Sequence, residues 1–561
     1  QMMTQISCAT CVIAWPRVTT KTATKSQRAA TYRMSNLAPG TSPAQQFAAH
    51  LLATLVAGGA KRIFLAPGAR SQALAIAAGQ LAEAGKAELF IRLDERSLGF
   101  TALGSALATD DPAIVITTSG TAVANLHPAV LEAHHSGVPL ILLTADRPHE
   151  LRGVGANQTT DQVGIFADAV RVCFDVEAPD EDGSLDSIEE LARVAITAAR
   201  GLGGQNAGPV QLNLAFREPL SSSLPNAATV EPTPLSLEPE NIELEFAVLD
   251  GATPTVVIAG AEAGPDAVEL AEAFGWPLLA EPSSGARWGA NAILGYRLIF
   301  DQQPALAAQI GRVIVFGKPT LSRAVIRLMF NEDVDVVVVK SRRMGHFDVA
   351  HRASAFVDEI TLDSEVDFDW LRRWQLADQT LRLAAPVNAE LSRREIVEAL
   401  WSATENAQNL VLGASRMIRE AETWAPAKPI NVFSNRGLAG IDGTIATATG
   451  IALASGQKTR VLLGDLTFLH DVGSLVIDPV DSPQDIQLVV VNDHGGSIFE
   501  ALEMAKALPA TAFDRLFRTP QNVNLAALAL AYGWRHEFVQ NEDELRAALE
   551  LEGRVLIEVE L

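Results

Sequence analysis

The fold is decided by two apolar stretches that each end in small and acidic residues. They are VLLGD at residues 461–465 and QLVVVNDHGG at residues 487–496. A short, continuous apolar run of this kind is typical of a buried strand in a parallel sheet. Asp465 and Asp493 lie 28 residues apart (493 − 465), which leaves room for one helix and its loops. If the two strands are neighbours, both carboxylates emerge at the same edge of the sheet, where open α/β sheets bind their ligands.

The chemistry of this edge has two interpretations. Two carboxylates and a nearby backbone carbonyl suit Mg²⁺, which prefers oxygen ligands and keeps positions for water and phosphate oxygens. Gly495 lets the backbone come close to such a ligand. Alternatively, both aspartates simply cap the turns at the ends of two ordinary strands. The two stretches alone leave both interpretations open.

Outward from these strands, short apolar strands alternate with helices from residue 42 to the C-terminus. One of these helices is predicted over residues 122–135. This alternation indicates parallel sheets covered by helices on both faces. A Ser- and Pro-rich stretch at residues 220–240 and a looser stretch near residue 385 divide the pattern into three blocks. The sequence therefore predicts the α/β class, with three consecutive α/β domains built on parallel sheets. The predicted organisation is an extension at 1–41, a first domain at 42–220, a linker at 221–245, a central domain at 246–385 and a last domain at 386–561.

Composition and charge exclude several classes of protein. Hydrophobic residues make up 48% of the 561 residues and charged residues 20%, as in folded globular proteins rather than rods or disordered tails. The net charge of −23 repels nucleic acid and anionic lipid, so we expect no nucleic-acid partner. No apolar run reaches the ~18 residues of a membrane-spanning helix, so we expect no stable membrane insertion. Three cysteines in so long a chain indicate a reducing compartment, and we expect a cytoplasmic protein.

The first 33 residues differ from the rest, with five basic residues and no acidic one. They could be a transit peptide, or a tail that precedes a true start at Met34. Cys8 and Cys11 form a C-x-x-C, but no second pair exists to complete a zinc site, which favours an unstructured extension over a metal or redox site.

A second chemical signal is the stretch LFIRLDERS at residues 89–97. A predicted strand delivers Glu95 to its carboxyl end, immediately before a helix. Asp94 could cap that helix, and Glu95 could simply complement the positive end of the helix dipole. The stretch alone favours this capping interpretation over a catalytic one.

Taken as a set, the motifs of this chain resemble those of the thiamine-diphosphate-dependent enzymes. More narrowly, from about residue 42 to the C-terminus the chain resembles the 2-succinyl-5-enolpyruvyl-6-hydroxy-3-cyclohexene-1-carboxylate (SEPHCHC) synthase family of menaquinone biosynthesis. Other thiamine-diphosphate enzymes share a glutamate at the position of Glu95 and the metal motif around Asp465 and Asp493, but they do not share the TADRP and SNRG stretches. The further stretches that carry the resemblance are PGARS at 67–71, TSGTAVAN at 118–125, LLTADRP at 142–148, GANQ at 155–158, GPVQLN at 208–213, SNRG at 434–437 and GIDG at 440–443.

The resemblance implies a role for each domain and for several residues. The first domain would bind the aminopyrimidine of thiamine diphosphate, with Glu95 as the catalytic residue on a pyrimidine ring nitrogen. The last domain would bind the diphosphate through Mg²⁺ or Mn²⁺, held by Asp465, Asp493 and the carbonyl of Gly495. Ile441 would bend the cofactor so that its two rings meet. The other residues that the resemblance places on the cofactor are Ser119, Gly120, Ser415, Gly464, Leu466, Gly496 and Ile498.

The substrates that the resemblance implies are 2-oxoglutarate and isochorismate. A carboligating transferase would decarboxylate the first and add the resulting succinyl-semialdehyde carbanion equivalent to the second in a 1,4 fashion. The site should be cationic because the two substrates bring several carboxylates, which guanidinium groups bind in bidentate fashion. The implied substrate-binding residues are Arg70, Arg147, Asn157, Gln158, Arg323, Ser415, Arg419, Arg436, Ile498 and Phe499. The cofactor would lie between domains of two subunits, so a homodimer or homotetramer is expected.

Two alternatives remain beside this interpretation. One is a 2-oxo-acid decarboxylase or acetolactate-synthase-like enzyme on the same scaffold, which would not need the arginines. The other is a binding or regulatory relative without catalytic activity, against which the retention of Glu95, Asp465 and Asp493 argues.

Two departures from the usual metal motif also stand out. Leu466 follows Asp465 where a glycine is common, and Asp493 stands where an asparagine is common. The second departure adds a negative charge near a diphosphate, and we expect tighter metal binding to offset it.

Overall fold

Three parallel sheets of five or six strands, each covered by helices, make up most of the described residues in this computed structural model. The predicted α/β class is confirmed. The structure describes residues 33–34, 42–183, 185–202, 204, 206–222, 225–235, 244–341, 343, 345, 347–385 and 391–561. The predicted extension, including Cys8 and Cys11, lies outside the described residues apart from 33–34.

The amino-terminal sheet has six parallel strands in the order β3-β2-β4-β5-β8-β6, and a separate short parallel pair joins β1 to β7. All seven residues of β5 are buried, as expected for a central strand covered on both faces. The strands are β1 (Arg33–Met34), β2 (Arg62–Leu65), β3 (Glu88–Ile91), β4 (Ala113–Thr117), β5 (Leu140–Asp146), β6 (Cys173–Val176), β7 (Asp180–Gly183) and β8 (Val210–Ala215). The helices are α1 (Pro43–Ala57), α2 (Gln72–Glu83), α3 (Glu95–Thr109), α4 (Thr121–Asn125), α5 (His127–Ser136) and α6 (Leu185–Ala199).

The central sheet has five parallel strands in the order β11-β10-β12-β13-β14, and β9 and β15 form a parallel pair beside it. The strands are β9 (Phe246–Leu249), β10 (Thr255–Ala259), β11 (Leu278–Ala280), β12 (Arg312–Phe316), β13 (Asp335–Val339), β14 (Ala353–Val357) and β15 (Glu359–Leu362). The helices are α7 (Asp266–Phe274), α8 (Tyr296–Gln302), α9 (Pro304–Ala307), α10 (Arg323–Met329) and α11 (Phe368–Ala384).

The carboxyl-terminal sheet has six parallel strands in the order β17-β16-β18-β19-β21-β20. The strands are β16 (Asn409–Leu412), β17 (Asn431–Phe433), β18 (Thr459–Gly464), β19 (Ile486–Asn492), β20 (Arg535–Val539) and β21 (Arg554–Glu560). The helices are α12 (Arg393–Ala403), α13 (Arg416–Trp424), α14 (Thr444–Ser455), α15 (Asp465–His470), α16 (Glu503–Ala507), α17 (Ala510–Phe513), α18 (Leu525–Ala531) and α19 (Glu542–Leu549).

The amino-terminal and carboxyl-terminal sheets have the same topology. When the six strands of each are numbered along the chain, both sheets have the order 2-1-3-4-6-5. The third strand of each pairs with the fourth, so β4 and β5 in the first sheet correspond to β18 and β19 in the last. This repeat was not predicted, because the two sets of strands share no obvious sequence similarity.

The two six-stranded sheets meet where helix α3 crosses helix α14. A Cβ atom on Gly104 would lie 1.9 Å from the carbonyl oxygen of Thr447, and one on Gly450 would lie 1.9 Å from that of Thr101. Neither position leaves room for a side chain, so glycine lets the two helix backbones touch. Both helices follow the second strand of their sheet, so equivalent elements meet.

Several local predictions differ from the structure. The helix predicted over 122–135 is two helices, α4 and α5, because Pro128 opens the second one and has no backbone N–H with which to continue the first. Residues 225–235 of the segment predicted as a linker pack on the amino-terminal sheet unit, with Ala227 and Val230 in its core. Strands such as β6, β14 and β20 were not predicted, because only one residue of each is buried and their sequences lack a continuous apolar run.

No helix within the described ranges is long and apolar enough to cross a membrane.

Candidate active site

The carboxyl edge of the amino-terminal sheet gathers six of the predicted residues into one group, the amino-terminal cluster. They are Arg70, Ser119, Gly120, Arg147, Asn157 and Gln158, which follow β2, β4 and β5. Ser119 Oγ donates to the carbonyl of Gln158 at 2.9 Å, and Gln158 Nε2 donates to the carbonyl of Ser119 at 2.8 Å. Gly120 has a φ of +86° and donates its N–H to Gln162 Oε1 at 2.8 Å. These bonds fix the loop after β5 against the turn after β4.

The two arginines of the amino-terminal cluster influence each other. Burial, and then the charge of Arg147, lower the pKa of the Arg70 guanidinium. Arg147 Nη2 donates to the carbonyl of Asn157 at 2.9 Å, and its backbone N–H donates to Asp146 Oδ1 at 2.7 Å. Two cations held close together in this way favour an anionic ligand between them.

Glu95 is the first residue of α3, at the carboxyl edge of the same sheet, and is half-buried. Asp94 caps the helix, as the capping interpretation predicted, and its Oδ1 accepts from the N–H of Arg96 at 2.8 Å. The cap is therefore supplied by Asp94, which leaves the carboxylate of Glu95 available for another role. Arg96 turns toward the carboxyl-terminal sheet unit, where it donates to the carbonyl of His470 at 3.0 Å.

The carboxyl edge of the last sheet brings Asp465 and Asp493 together, because β18 and β19 are neighbours. Asp465 begins α15, and its Oδ1 accepts from the N–H of Leu466 at 2.8 Å. Its Oδ2 accepts from the N–H of Gly495 at 2.8 Å. Burial, with a contribution from the charge of Asp493, raises the pKa of Asp465. The expectation that both carboxylates emerge at one edge is confirmed.

Asp493 is also buried, and it has a partner that was not predicted. Its Oδ2 accepts from Arg393 Nη2 at 2.7 Å and from the hydroxyl of Ser497. Its backbone carbonyl accepts from Arg518 Nη2 at 3.2 Å. Arg393 is the first residue of α12, a hundred residues before Asp493, and no local motif could have revealed the contact.

The donor set at this edge fits a magnesium ion and a diphosphate. Within the described ranges, no group of three or more His, Cys, Asp or Glu side chains converges on one point, but two carboxylates and a backbone carbonyl are a normal share of a Mg²⁺ shell that also takes water and phosphate oxygens. The turn leaves no room for a side chain, since a Cβ on Gly495 would lie 2.3 Å from the carbonyl oxygen of Arg518. The Nε atoms of Arg393 and Arg518 are buried and have no hydrogen-bond partner among the described residues. These unpartnered donors suit an anion.

The other residues predicted around the cofactor lie at or near this edge. Ser415 caps α13, and its Cβ lies 3.7 Å from the position that a Cβ atom on Gly464 would take. Gly496 donates its N–H to the carbonyl of Arg518 at 2.7 Å. Ile498 and Phe499 lie in the 3₁₀ turn Ser497–Ala501 and are half-buried. Ile441 precedes α14, two residues before its N-cap Gly443.

Three of the predicted arginines form a further group, the arginine cluster: Arg323, Arg419 and Arg436. Burial lowers the pKa of Arg419, the charge of Glu422 opposes this, and the charges of Arg297, Arg323 and Arg436 add to it. Arg436 is 7% exposed, and burial lowers its pKa as well. Its Nη2 donates to Thr320 Oγ1 at 2.7 Å, while its buried Nε has no hydrogen-bond partner among the described residues. The arginine cluster therefore presents several positive charges and an unused donor.

Glu132 of α5 holds the loop that carries Arg436. Its two carboxylate oxygens accept from the N–H groups of Gly437 at 2.6 Å and Leu438 at 2.8 Å. Lys318, from the central sheet unit, donates to the carbonyl of Gly437 at 2.9 Å. The loop is thus fixed from both other sheet units, an arrangement that sequence reasoning missed.

Glu281 performs a similar function from the end of β11. It is 1% exposed, and its carboxylate accepts from the N–H groups of Leu321 at 2.7 Å and Ser322 at 3.2 Å. Those residues immediately precede Arg323. Burial raises the pKa of Glu281 to about 7, against the opposing influences of these hydrogen bonds and of Arg436.

The structure does not bring all of the predicted residues together within one chain. Among the described residues, no hydrogen bond or ion pair joins the amino-terminal cluster to Asp465 or Asp493. The two sets occupy equivalent positions on sheets of the same topology, since Ser119 and Asp465 follow the third strands and Arg147 and Asp493 the fourth.

Comparisons with known proteins show which class of protein this chain resembles. Residues 45–165 match the family described as "Thiamine pyrophosphate enzyme, N-terminal TPP binding domain", and residues 413–559 match the corresponding C-terminal TPP binding domain. Each match falls on one of the two six-stranded sheets.

The particular family follows from full-length relatives. A 2-succinyl-5-enolpyruvyl-6-hydroxy-3-cyclohexene-1-carboxylate synthase of Leifsonia xyli subsp. xyli is 44% identical over 90% of this chain and 94% of its own length. Those of Kineococcus radiotolerans and Paenarthrobacter aurescens are 44% and 43% identical, over 92% and 90% of this chain and 96% and 92% of their own lengths. The chain therefore belongs to the SEPHCHC synthase family.

Proposed function

We propose that the protein is a SEPHCHC synthase that uses thiamine diphosphate and Mg²⁺ or Mn²⁺ in menaquinone biosynthesis. It decarboxylates 2-oxoglutarate and adds the remaining four-carbon unit to isochorismate in a 1,4 fashion, with release of CO₂. The observation that carries this proposal is the arginine cluster, in which the buried Arg436 has an unpartnered Nε donor beside the half-buried Arg419 and the exposed Arg323. Substrates with several carboxylates need such a site, and a monocarboxylate does not.

The cofactor would be held by the two six-stranded sheets, the first domain binding the aminopyrimidine and the last binding the diphosphate. Asp465, Asp493 and the carbonyl of Gly495 would hold the metal ion against the diphosphate. When bound, thiamine diphosphate supplies an electron sink for the decarboxylation of a 2-oxo acid. Glu95 would share a proton with a pyrimidine ring nitrogen, and its place at the start of α3 supports this role, because Asp94 already caps that helix.

The substrate carboxylates would be bound by the arginine cluster and by Arg70 and Arg147 of the amino-terminal cluster. Asn157, Gln158 and Ser415 would add neutral hydrogen-bonding groups. Ile498 and Phe499 would form an apolar wall that excludes water from the reacting carbon, which protects a carbanion-like species from protonation. The ring of Phe499 packs against that of Phe517, with 5.9 Å between ring centroids, which supports a rigid wall.

A complete site would need two chains, in a homodimer or homotetramer that works in the cytoplasm. The separation of the amino-terminal cluster from Asp465 and Asp493 within one chain supports this arrangement. A two-fold axis would bring the carboxyl edge of one amino-terminal sheet to that of the partner's last sheet.

The test is product analysis by mass spectrometry, with thiamine diphosphate and Mg²⁺, in the presence and absence of isochorismate. We expect a product that contains both substrates less CO₂, formed only when isochorismate and the cofactor are present. Succinic semialdehyde as the sole product under both conditions would favour a simple decarboxylase instead. No structural observation favours that second function, because its substrate would leave the arginine cluster unused.

A further inference from the structure

Arg393 lies outside the sequence motifs and contacts Asp493 of the proposed metal site directly. Its guanidinium lies 2.7 Å from Asp493 Oδ2, and the two side chains are 24% and 11% exposed. The helix that begins at Arg393 is fixed by a capping box between Ser392 and Glu395, so the guanidinium projects from a rigid position. Its Nε is buried and has no hydrogen-bond partner among the described residues.

The contact answers a question raised by the sequence. Asp493 stands where related enzymes often have asparagine, and its extra negative charge would repel a diphosphate. A guanidinium paired with that carboxylate offsets part of its charge, because the combined potential of two opposite charges in contact falls off faster with distance than that of the carboxylate alone. The pairing also competes with a cation for Asp493 Oδ2, the same oxygen that Ser497 contacts.

We propose that Arg393 is a positioning residue of the metal and diphosphate site, which balances the charge of Asp493 so that the site binds the anionic cofactor at the expense of affinity for the bare metal ion. The proposal rests on the proposed cofactor. The unpartnered Nε of Arg393 provides a donor for a phosphate oxygen, in addition to the positive charge of the guanidinium.

The proposal predicts opposite effects on the two ligands. R393Q removes one positive charge close to the metal position, which is worth about tenfold or more in affinity for a divalent ion even at the dielectric constant of bulk water. We expect R393Q to bind Mn²⁺ about tenfold more tightly without cofactor, and to bind thiamine diphosphate about tenfold more weakly at saturating Mn²⁺. R393K keeps the charge but loses the Nε donor, so it should bind Mn²⁺ within about threefold of wild type and should bind thiamine diphosphate more weakly than wild type but less weakly than R393Q does.

D493N provides the converse test and does not depend on the folding of R393Q. It should bind Mn²⁺ about tenfold more weakly, because a carboxylate is lost. At saturating Mn²⁺ it should bind thiamine diphosphate no more weakly than wild type, because Arg393 is then uncompensated. The matched control is R394Q, since Arg394 pairs with Glu398 at 2.9 Å and lies over the ring of Trp424, and this variant should change neither affinity.

Mn²⁺ binding is measured by electron paramagnetic resonance of the free ion, and cofactor binding by calorimetry. Opposite shifts for the two ligands support the proposal. Equal weakening of both ligands in R393Q, or no change in either, would overturn it and assign Arg393 a purely structural role. A wild-type protein that bound no thiamine diphosphate would contradict the proposed function itself. Failure of the Arg393 proposal alone would instead give a wild type that binds thiamine diphosphate and an R393Q variant without opposite shifts.

Discussion

The carboxylate of Asp465 accepts a hydrogen bond from the backbone N–H of Gly495 at 2.8 Å, across the carboxyl ends of two neighbouring strands. This bond sets the turn that follows β19, and with it the positions of the Gly495 carbonyl and the Asp493 side chain. Two segments that are separate in sequence are thereby fixed at one edge of one sheet. The same edge of the sheet with the matching topology carries Arg70, Ser119 and Arg147.

Glu95→Gln should remove most of the turnover and leave the fold intact. A carboxamide cannot share a proton with a ring nitrogen, and the loss of a positioned acid–base group typically costs about 100-fold or more. The measurement is CO₂ release from 2-oxoglutarate, with a thermal melt to confirm folding. Glu88→Gln, on the neighbouring strand and paired with Arg62, is the control. Turnover within threefold of wild type would remove Glu95 from the mechanism.

Glu132→Gln should raise KM for the substrate bound by Arg436 more than it lowers kcat. A glutamine offers one acceptor oxygen where Glu132 offers two to the N–H groups of Gly437 and Leu438. An unsatisfied buried N–H costs about 1–3 kcal/mol, which corresponds to roughly tenfold in KM if the loop shifts. Steady-state kinetics on both substrates measures the split. Glu150→Gln, at an exposed pair with Arg217, should change neither constant, whereas a fall in kcat at constant KM for Glu132→Gln would contradict the role assigned to it.

Glu281 should give the stability of the protein a recognisable pH dependence. Folding raises its pKa from 4.5 to about 7, so between these values the folded protein holds a proton that the unfolded chain has released. Stability from this group is therefore present below about pH 4.5 and is lost as the pH rises to about 7, by about 3 kcal/mol in total. Urea unfolding of wild type and Glu281→Gln across this range should show the difference between them falling with rising pH. A difference independent of pH would contradict the raised pKa.

Gly104→Ala should destabilise the contact between the two six-stranded sheets. The added methyl group would meet the carbonyl oxygen of Thr447 at 1.9 Å, and overpacking of this kind costs about 1–3 kcal/mol. Gly79→Ala is the matched control, because Gly79 lies in helix α2 and has nothing within 4 Å of its Cβ position. That variant should be neutral or slightly more stable, since alanine favours a helix. Equal melting temperatures for the two variants would contradict close packing at this crossing.

The sequence predicted the fold best where strands are buried on both faces. The apolar stretches at 461–465 and 487–496 were predicted as strands, and they correspond to Thr459–Gly464 and Ile486–Asn492, in which every residue but the last is buried. Edge strands such as Arg535–Val539 consist of exposed and half-buried residues with only one buried position, so they carry no continuous apolar signal.

The candidate site was predictable only where its chemistry lies within one short stretch. Asp465 and Asp493 directly follow strands, so the periodicity that reveals the strands also places the carboxylates. The contacts of Arg393 and Glu132 span 100 and 305 residues, and that of Glu281 spans 40 residues between the ends of two strands of the central sheet. These contacts depend on how elements distant in sequence pack against each other, and no spacing of residue types in one sequence records that packing.

Subunit complementation tests whether Glu95 of one chain and Asp465 of another serve one cofactor. Glu95→Gln and Asp465→Asn are each expected to be inactive as homodimers. Co-expression with two different affinity tags allows the mixed dimer to be purified. In that dimer one of the two sites would combine the intact Glu95 of one chain with the intact Asp465 of the other, so we predict about half of the wild-type turnover. A mixed dimer as inactive as its parents would contradict a shared site and would show that each site is built within a single chain.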